Sequence, residues 1–200
     1  MTRQLGWESK PGEEHLAKLL RSLLLGSMAT FGDTEVIAEA ERRFAAYLER
    51  GEPIQADFRL TVYKAVLRSG SRSAYDSLLG IYRETALQEE KDRIANALGV
   101  IQDEVFLRDV LTFAVSPEVR SQDSVTVISS VASSRLGREI AWKYFCENVD
   151  LLRERFKGAF LLVRLVKSIT ENFATEEKAL EIDNFFKVQS FSNLNMLEFI

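Results

Sequence analysis

Two hundred residues with a formal net charge of −4, 46% hydrophobic and 28% charged, make a chain long enough to bury about 70% of the surface its unfolded form exposes. Neutralising a nucleic-acid backbone takes clustered Lys and Arg, so an acidic balance argues against nucleic acid as a partner. A single cysteine and a single histidine exclude an intrachain disulfide and leave too few soft or imidazole ligands for a zinc site.

Along the chain, Leu16, Leu19, Leu20, Leu23 and Leu24 recur at helical spacing and predict a helix with its leucine stripe toward the core. Val36, Ile37, Ala40, Phe44, Tyr47 and Leu48 predict a second. Thr30-Phe31-Gly32-Asp33 supplies the breaker and the capping acid between them, so the pair reads as an antiparallel hairpin. Gly51-Glu52-Pro53 stops the second helix, and Phe58, Val62, Ala65 and Val66 mark a third that ends near Ser69-Gly70. Tyr75, Leu78, Leu79 and Tyr82 define a fourth. Thr85 to Gln88 matches a capping box ahead of a fifth helix bearing Ile94, Leu98 and Ile101. A sixth carries Val105, Phe106, Val110, Leu111 and Phe113 and closes at Ser116-Pro117.

Ser124 to Ile128 alternates β-branched residues and by local propensity suits a strand as well as a helix. Helices flank it and no second convincing strand is present to pair with it, which favours helix. A long helix is predicted from about Gly137 through Trp142, Phe145 and Leu152 to Arg155. Leu161, Leu165, Ile169 and Phe173 repeat every four residues, and Thr175 opens a last helix with Leu180, Ile182, Phe185 and Phe186. The expected fold is all-α: about ten helices in antiparallel pairs, stacked as a HEAT-like superhelix because each pair buries its stripe only against the next.

Chemistry is sparse. Glu13, Glu14 and His15 carry part of a metallopeptidase motif, but that motif needs a second His four residues from the first. No phosphate-binding glycine loop, nucleophile elbow or Ser/His/Asp set can be assembled. Cys146 lies among Trp142, Tyr144 and Phe145 and reads as a small buried hydrophobe. Arg21 and Arg164 interrupt the two most apolar stretches well short of a membrane span, and no signal-peptide core opens the chain, so a cytoplasmic setting with no membrane contact is expected.

Several segments in order resemble the C-terminal helical domain of puromycin-sensitive-type aminopeptidases, in the gluzincin zinc aminopeptidase family. They are Leu5 to Glu13, Leu19-Leu20-Arg21, Gln88 to Ile94 with Leu98-Gly99, Val110 to Ala114, Val119 to Asp123, and Gly137 to Lys143. The resemblance implies that Val125 to Val131 is helical, and that the domain walls a peptide chamber whose zinc, general base and amino-group motif lie upstream. It thus implies no catalytic residue and no cofactor in this chain, zinc in the catalytic domain of the parent enzyme, and that domain and peptide substrates as partners.

Arg120 and Gln122, at a helix start, are the expected positions for peptide-facing groups, the alternative and favoured reading being that they tie adjacent helix pairs together; Trp142 and Phe145 are expected to be structural. Residues 1–188 form the expected helical domain, and 189–200 a tail that departs from the resemblance. The family's tryptophan after the Glu-Asn pair is replaced by Val149, a smaller residue whose gap neighbours must fill. A fragment or a short isoform is the expectation from both ends. The alternative reading is a free-standing helical-repeat module that binds a protein partner, such as the catalytic part.

Overall fold

Short polar side chains cap five of the described helices. In the computed structural model, which describes residues 6–8, 12–156 and 159–189, Asp33 accepts the N–H of Val36 at 3.0 Å, Asp103 that of Phe106 at 2.9 Å and Ser134 that of Gly137 at 2.9 Å. Ser71 and Thr175 do the same for Ala74 and Lys178. Each such bond satisfies a donor that the first helical turn leaves without an intrahelical partner. Gly51 ends its helix in the left-handed region at φ 68°, a conformation that costs a side chain but not glycine.

Eleven helices result among the described residues, and no strand. They are α1 (His15–Thr30), α2 (Thr34–Arg50), α3 (Ala56–Arg68), α4 (Arg72–Glu84), α5 (Gln88–Leu98), α6 (Glu104–Ala114), α7 (Ser121–Ala132), α8 (Arg135–Glu147), α9 (Val149–Phe156), α10 (Ala159–Thr170) and α11 (Glu176–Val188). The all-α helical-repeat class expected from the apolar spacing is what the chain adopts. The long helix expected up to Arg155 divides at Asn148, whose side-chain amide donates to the Tyr144 carbonyl at 2.9 Å. Val149 then begins α9 as a buried residue. The expected capping box does not form as such: Thr85 Oγ1 accepts the N–H of Leu87 two residues on, and Leu87 is the residue that caps α5.

The chain divides into two compact units, Met1–Ile101 and Gln102–Ile200. The first is organised around α3, which packs against α1, α2 and α5. More than one face of α3 is therefore covered, and Phe58, Thr61, Val62, Tyr63, Ala65, Val66 and Leu67 are all buried.

The second unit is organised in the same way around α7, which packs against α6, α8 and α10. This is the β-branched segment whose local preference was divided. Val125, Val127, Ile128 and Val131 are each at most 1% exposed. Burying such a side chain contributes about 1.5–3 kcal/mol, whereas a β-branched residue in a helix costs under about 0.7 kcal/mol relative to alanine. Burial wins, and a helix that is apolar on several faces belongs at the centre of its unit.

The leucine stripe of α1 does not face the core as expected. Leu16 is 72%, Leu19 52% and Leu23 67% exposed, with Leu20 also outward. The inward face is Arg21, Leu25 and Ala29, spaced by four residues, and Arg21 is fully buried against the Glu13 carboxylate, to which Nη1 donates at 2.7 Å. A paired guanidinium and a small alanine let α1 lie close to its neighbours, and the leucines are left on the outer side. Val105 and Leu180, also expected in the core, are exposed. Ser190 to Ile200, the bulk of the expected tail, lies outside the described residues, as do Leu5 and Ser9 to Pro11 of the first resembling segment.

Candidate functional site

The turn from Ser116 to Arg120 leads into α7, and the two expected peptide-facing residues sit at that junction, Arg120 on the turn and Gln122 in the helix. Arg120 immediately precedes the helix in extended conformation, at φ −65° and ψ 147°. Its guanidinium donates to both Asp123 carboxylate oxygens, Nε at 2.7 Å and Nη2 at 3.3 Å, while its side chain stays 55% exposed. Gln122 is exposed on the first turn of α7. Both side chains thus stand at one helix start and reach solvent.

What fixes that turn is Arg155 on α9. Its Nε donates to Ser124 Oγ at 3.0 Å, and its Nη2 donates to the carbonyls of Ser116, at 3.0 Å, and Val119. Ser121 Oγ returns a bond to the Arg155 carbonyl at 3.3 Å. A planar guanidinium presents several donors in a fixed fork, so one side chain can hold two carbonyls of an irregular segment that no helix satisfies. Sequence reasoning gave Arg155 no role beyond a helix end. The only signal was a small one, two arginines at Arg153 and Arg155 in a short amphipathic helix, of which one faces inward.

Trp142 is 3% exposed and Phe145 fully buried on α8. The Trp142 ring meets Phe185 at 5.4 Å and Phe186 at 6.2 Å, and its indole N–H donates to Glu181 at 2.6 Å, so α11 is fastened to α8 by an aromatic cluster with a polar clip. Lys178 adds ion pairs to Glu139 and Glu181 at 2.9 and 2.8 Å. The Lys178 ammonium and the indole N–H together hold the Glu181 carboxyl below its ordinary range. A separate open groove of about 540 Å³ between α6 and α8 is lined by Arg108, Arg135, Glu139 and Lys143, and not by Arg120 or Gln122.

In the first unit the buried Glu90 on α5 accepts from Tyr63 Oη at 2.5 Å, Arg59 Nη1 at 2.9 Å and Arg93 Nη1 at 2.8 Å. Burial alone would raise its pKa, but the phenol and the two guanidiniums outweigh it and hold the carboxyl below the ordinary range. The same arrangement pushes the Tyr63 phenol far up, chiefly by burial and then by the hydrogen bond to Glu90. A carboxylate whose charged form is favoured by three donors, two of them cationic, is a weak base, and this cluster serves to tie α3 to α5.

Residues 1–197 match the family model for the ERAP1-like C-terminal domain. The chain belongs to that family. It is 40% identical to aminopeptidase M1 of Arabidopsis thaliana over 192 residues, covering 94% of this chain and 22% of that protein. It is 30% identical over 186 residues to the puromycin-sensitive aminopeptidase of Caenorhabditis elegans, covering 92% of this chain and 20% of that one. Glutamyl aminopeptidase of Rattus norvegicus is 30% identical over 184 residues, with coverage of 91% and 19%. The chain therefore spans about a fifth of the length of these relatives.

The donor set of this ERAP1-like C-terminal domain does not fit zinc. His15 is exposed at the first turn of α1, and the neighbouring Glu13 is engaged by Arg21. The Cys146 thiol is pushed up to about 12, mainly by burial, and a zinc ligand must be a thiolate. Among the described residues no three His, Cys, Asp or Glu side chains are grouped as a metal site needs. Nor, among them, is any helix long and apolar enough to cross a membrane.

Proposed function

We propose that this chain is the non-catalytic C-terminal part of a puromycin-sensitive-type zinc aminopeptidase, acting in the cytoplasm in peptide breakdown, and that it walls the chamber in which peptides meet a catalytic domain held elsewhere in the parent polypeptide. The observation that carries the reading is the match to a C-terminal domain family over residues 1–197, in a chain that spans about a fifth of its aminopeptidase relatives. The zinc and its general base belong, on this reading, to the upstream part. What this chain supplies is a wall of helices that excludes water and strengthens charge contacts inside, so its effect falls on substrate selection and closure and not on bond breaking.

Arg120 and Gln122 are the peptide-facing groups of that wall. Their exposure at the start of α7, on a turn that Arg155 holds at three points, supports the assignment: a guanidinium on a fixed turn can meet a peptide carboxylate with little loss of side-chain freedom. The test is a chimera of Arabidopsis thaliana aminopeptidase M1 in which this chain replaces the matching segment. Arg120→Glu with Gln122→Ala is expected to raise KM for peptides of several residues while leaving hydrolysis of an aminoacyl-arylamide unchanged. Equal loss on both substrates, or on neither, contradicts the assignment.

A further inference from the structure

The outer face of α1 is an apolar surface that the described residues of the first unit leave exposed. Leu16, Leu19 and Leu23 lie on one stripe at intervals of three and four residues, each more than half exposed, and Phe31 beyond the helix end is 87% exposed. Between this stripe and α3 runs an open groove of about 550 Å³, with Leu19, Leu23 and Phe31 on one side and Leu60 and Lys64 on the other. Gly26 and Ser27 also line it, and a Cβ on Gly26 would lie 3.3 Å from Thr61 Oγ1, so α1 and α3 approach closely at that point. Isolated exposed leucines are ordinary on a soluble protein, but a contiguous stripe bordering a groove marks an interaction surface.

Lys64 gives the groove a chemical preference. Its side chain is half-buried on α3, and it pairs with no acid among the described residues, whereas Arg93 at the same groove is already held by Glu89 and Glu90. Burial lowers the Lys64 pKa, with no charge partner to offset the cost. An occupant that brings a carboxylate alongside apolar side chains would relieve that cost while covering the leucines.

We infer that the groove between α1 and α3 is the docking surface for an amphipathic helix from the upstream part of the parent polypeptide, with apolar residues set against Leu19 and Leu23 and an Asp or Glu set against Lys64. The inference rests on the proposed function. The relatives carry about four-fifths of their length outside the matched segment, so polypeptide is at hand to cover the face. In a helical stack each apolar stripe is buried by the neighbouring element, and among the described residues the α1 stripe has no neighbour on it.

The experiment places Leu19→Cys in the isolated 200-residue chain and in the full-length chimera with Arabidopsis thaliana aminopeptidase M1. Maleimide labelling of that position is followed by peptide mass spectrometry. Labelling at least tenfold slower in the chimera is expected. A second variant, Leu19→Glu with Leu23→Glu, is expected to leave the melting temperature of the isolated chain unchanged and to lower that of the chimera. Equal labelling in both proteins would overturn the inference. Protection in the isolated chain that grows with its concentration would overturn it too, by showing a second copy as the occupant. Hydrolysis of an aminoacyl-arylamide by the unsubstituted chimera reports separately on the proposed function, which stands if that activity is present while position 19 labels freely.

Discussion

The Arg155 guanidinium on α9 donates to the Ser124 hydroxyl on α7 at 3.0 Å, and the same fork holds the Ser116 carbonyl at 3.0 Å. A side chain from a later helix thereby sets the conformation of the turn that presents Arg120. Hydrogen bonds from a charged donor contribute about 1.5–3 kcal/mol each when lost, so Arg155→Ala is expected to destabilise the second unit by about 3 kcal/mol. Arg155→Lys recovers only part of this, because an ammonium cannot reproduce the planar fork. Urea denaturation of the three proteins checks it; full recovery by lysine would mean that charge alone matters.

Glu90 makes the stability of the first unit depend on acid. Its folded pKa lies below the ordinary value, so the carboxylate's contribution is fully present above the unfolded pKa of about 4.3 and is lost as pH falls through the folded value. Glu90→Gln removes the charge while keeping the shape. It is expected to cost about 2–3 kcal/mol at pH 7, with the gap to the unsubstituted chain closing as pH is lowered below about 4.3. A gap that stays constant through that window would show that charge does not carry the cluster.

Two glycines inside helices should respond in opposite directions. A Cβ on Gly137 would lie 2.2 Å from the Val131 carbonyl oxygen, so α8 cannot keep its place beside the end of α7 if that residue bears a side chain. Gly137→Ala is expected to destabilise by about 1–3 kcal/mol. A Cβ on Gly80, in α4, would meet nothing within 4 Å, and Gly80→Ala is expected to stabilise by about 0.5–1 kcal/mol through the entropy of the unfolded chain. Melting temperatures that shift the same way for both would contradict the packing described here.

Cys146 is expected to be slow toward alkylating reagents. Its pKa is pushed up to about 12 by burial, and the thiolate is the reactive form. Reaction with a thiol-specific reagent at pH 8 should proceed far more slowly in the folded chain than in urea. Equal rates would mean that the pKa of the half-buried thiol is not raised.

The apolar spacing made the helices legible, and where it misled, long-range packing decided. Val125, Val127 and Ile128 look alike to a strand and to a central helix, since both bury alternate and adjacent residues; only the helices on several sides of α7 distinguish them. The stripe on α1 was visible but not its direction, because a single chain of leucines cannot say whether the covering surface is in the same unit, and Arg21 gave no sign that Glu13 would let it take the inner side. Asn148 could be read as a helix-ending residue only with Tyr144 already in place. The placing of Arg120 and Gln122 followed from a helix start in the sequence, whereas the role of Arg155 needed carbonyls from more than thirty residues away, and no local pattern encodes that.

The most direct measurement of the central claim is the hydrolysis of an aminoacyl-arylamide by the purified 200-residue chain, with its zinc content determined on the same sample and again after zinc is added. No hydrolysis above the uncatalysed rate in either condition and no stoichiometric zinc are expected. Turnover that rises with bound zinc would contradict the claim.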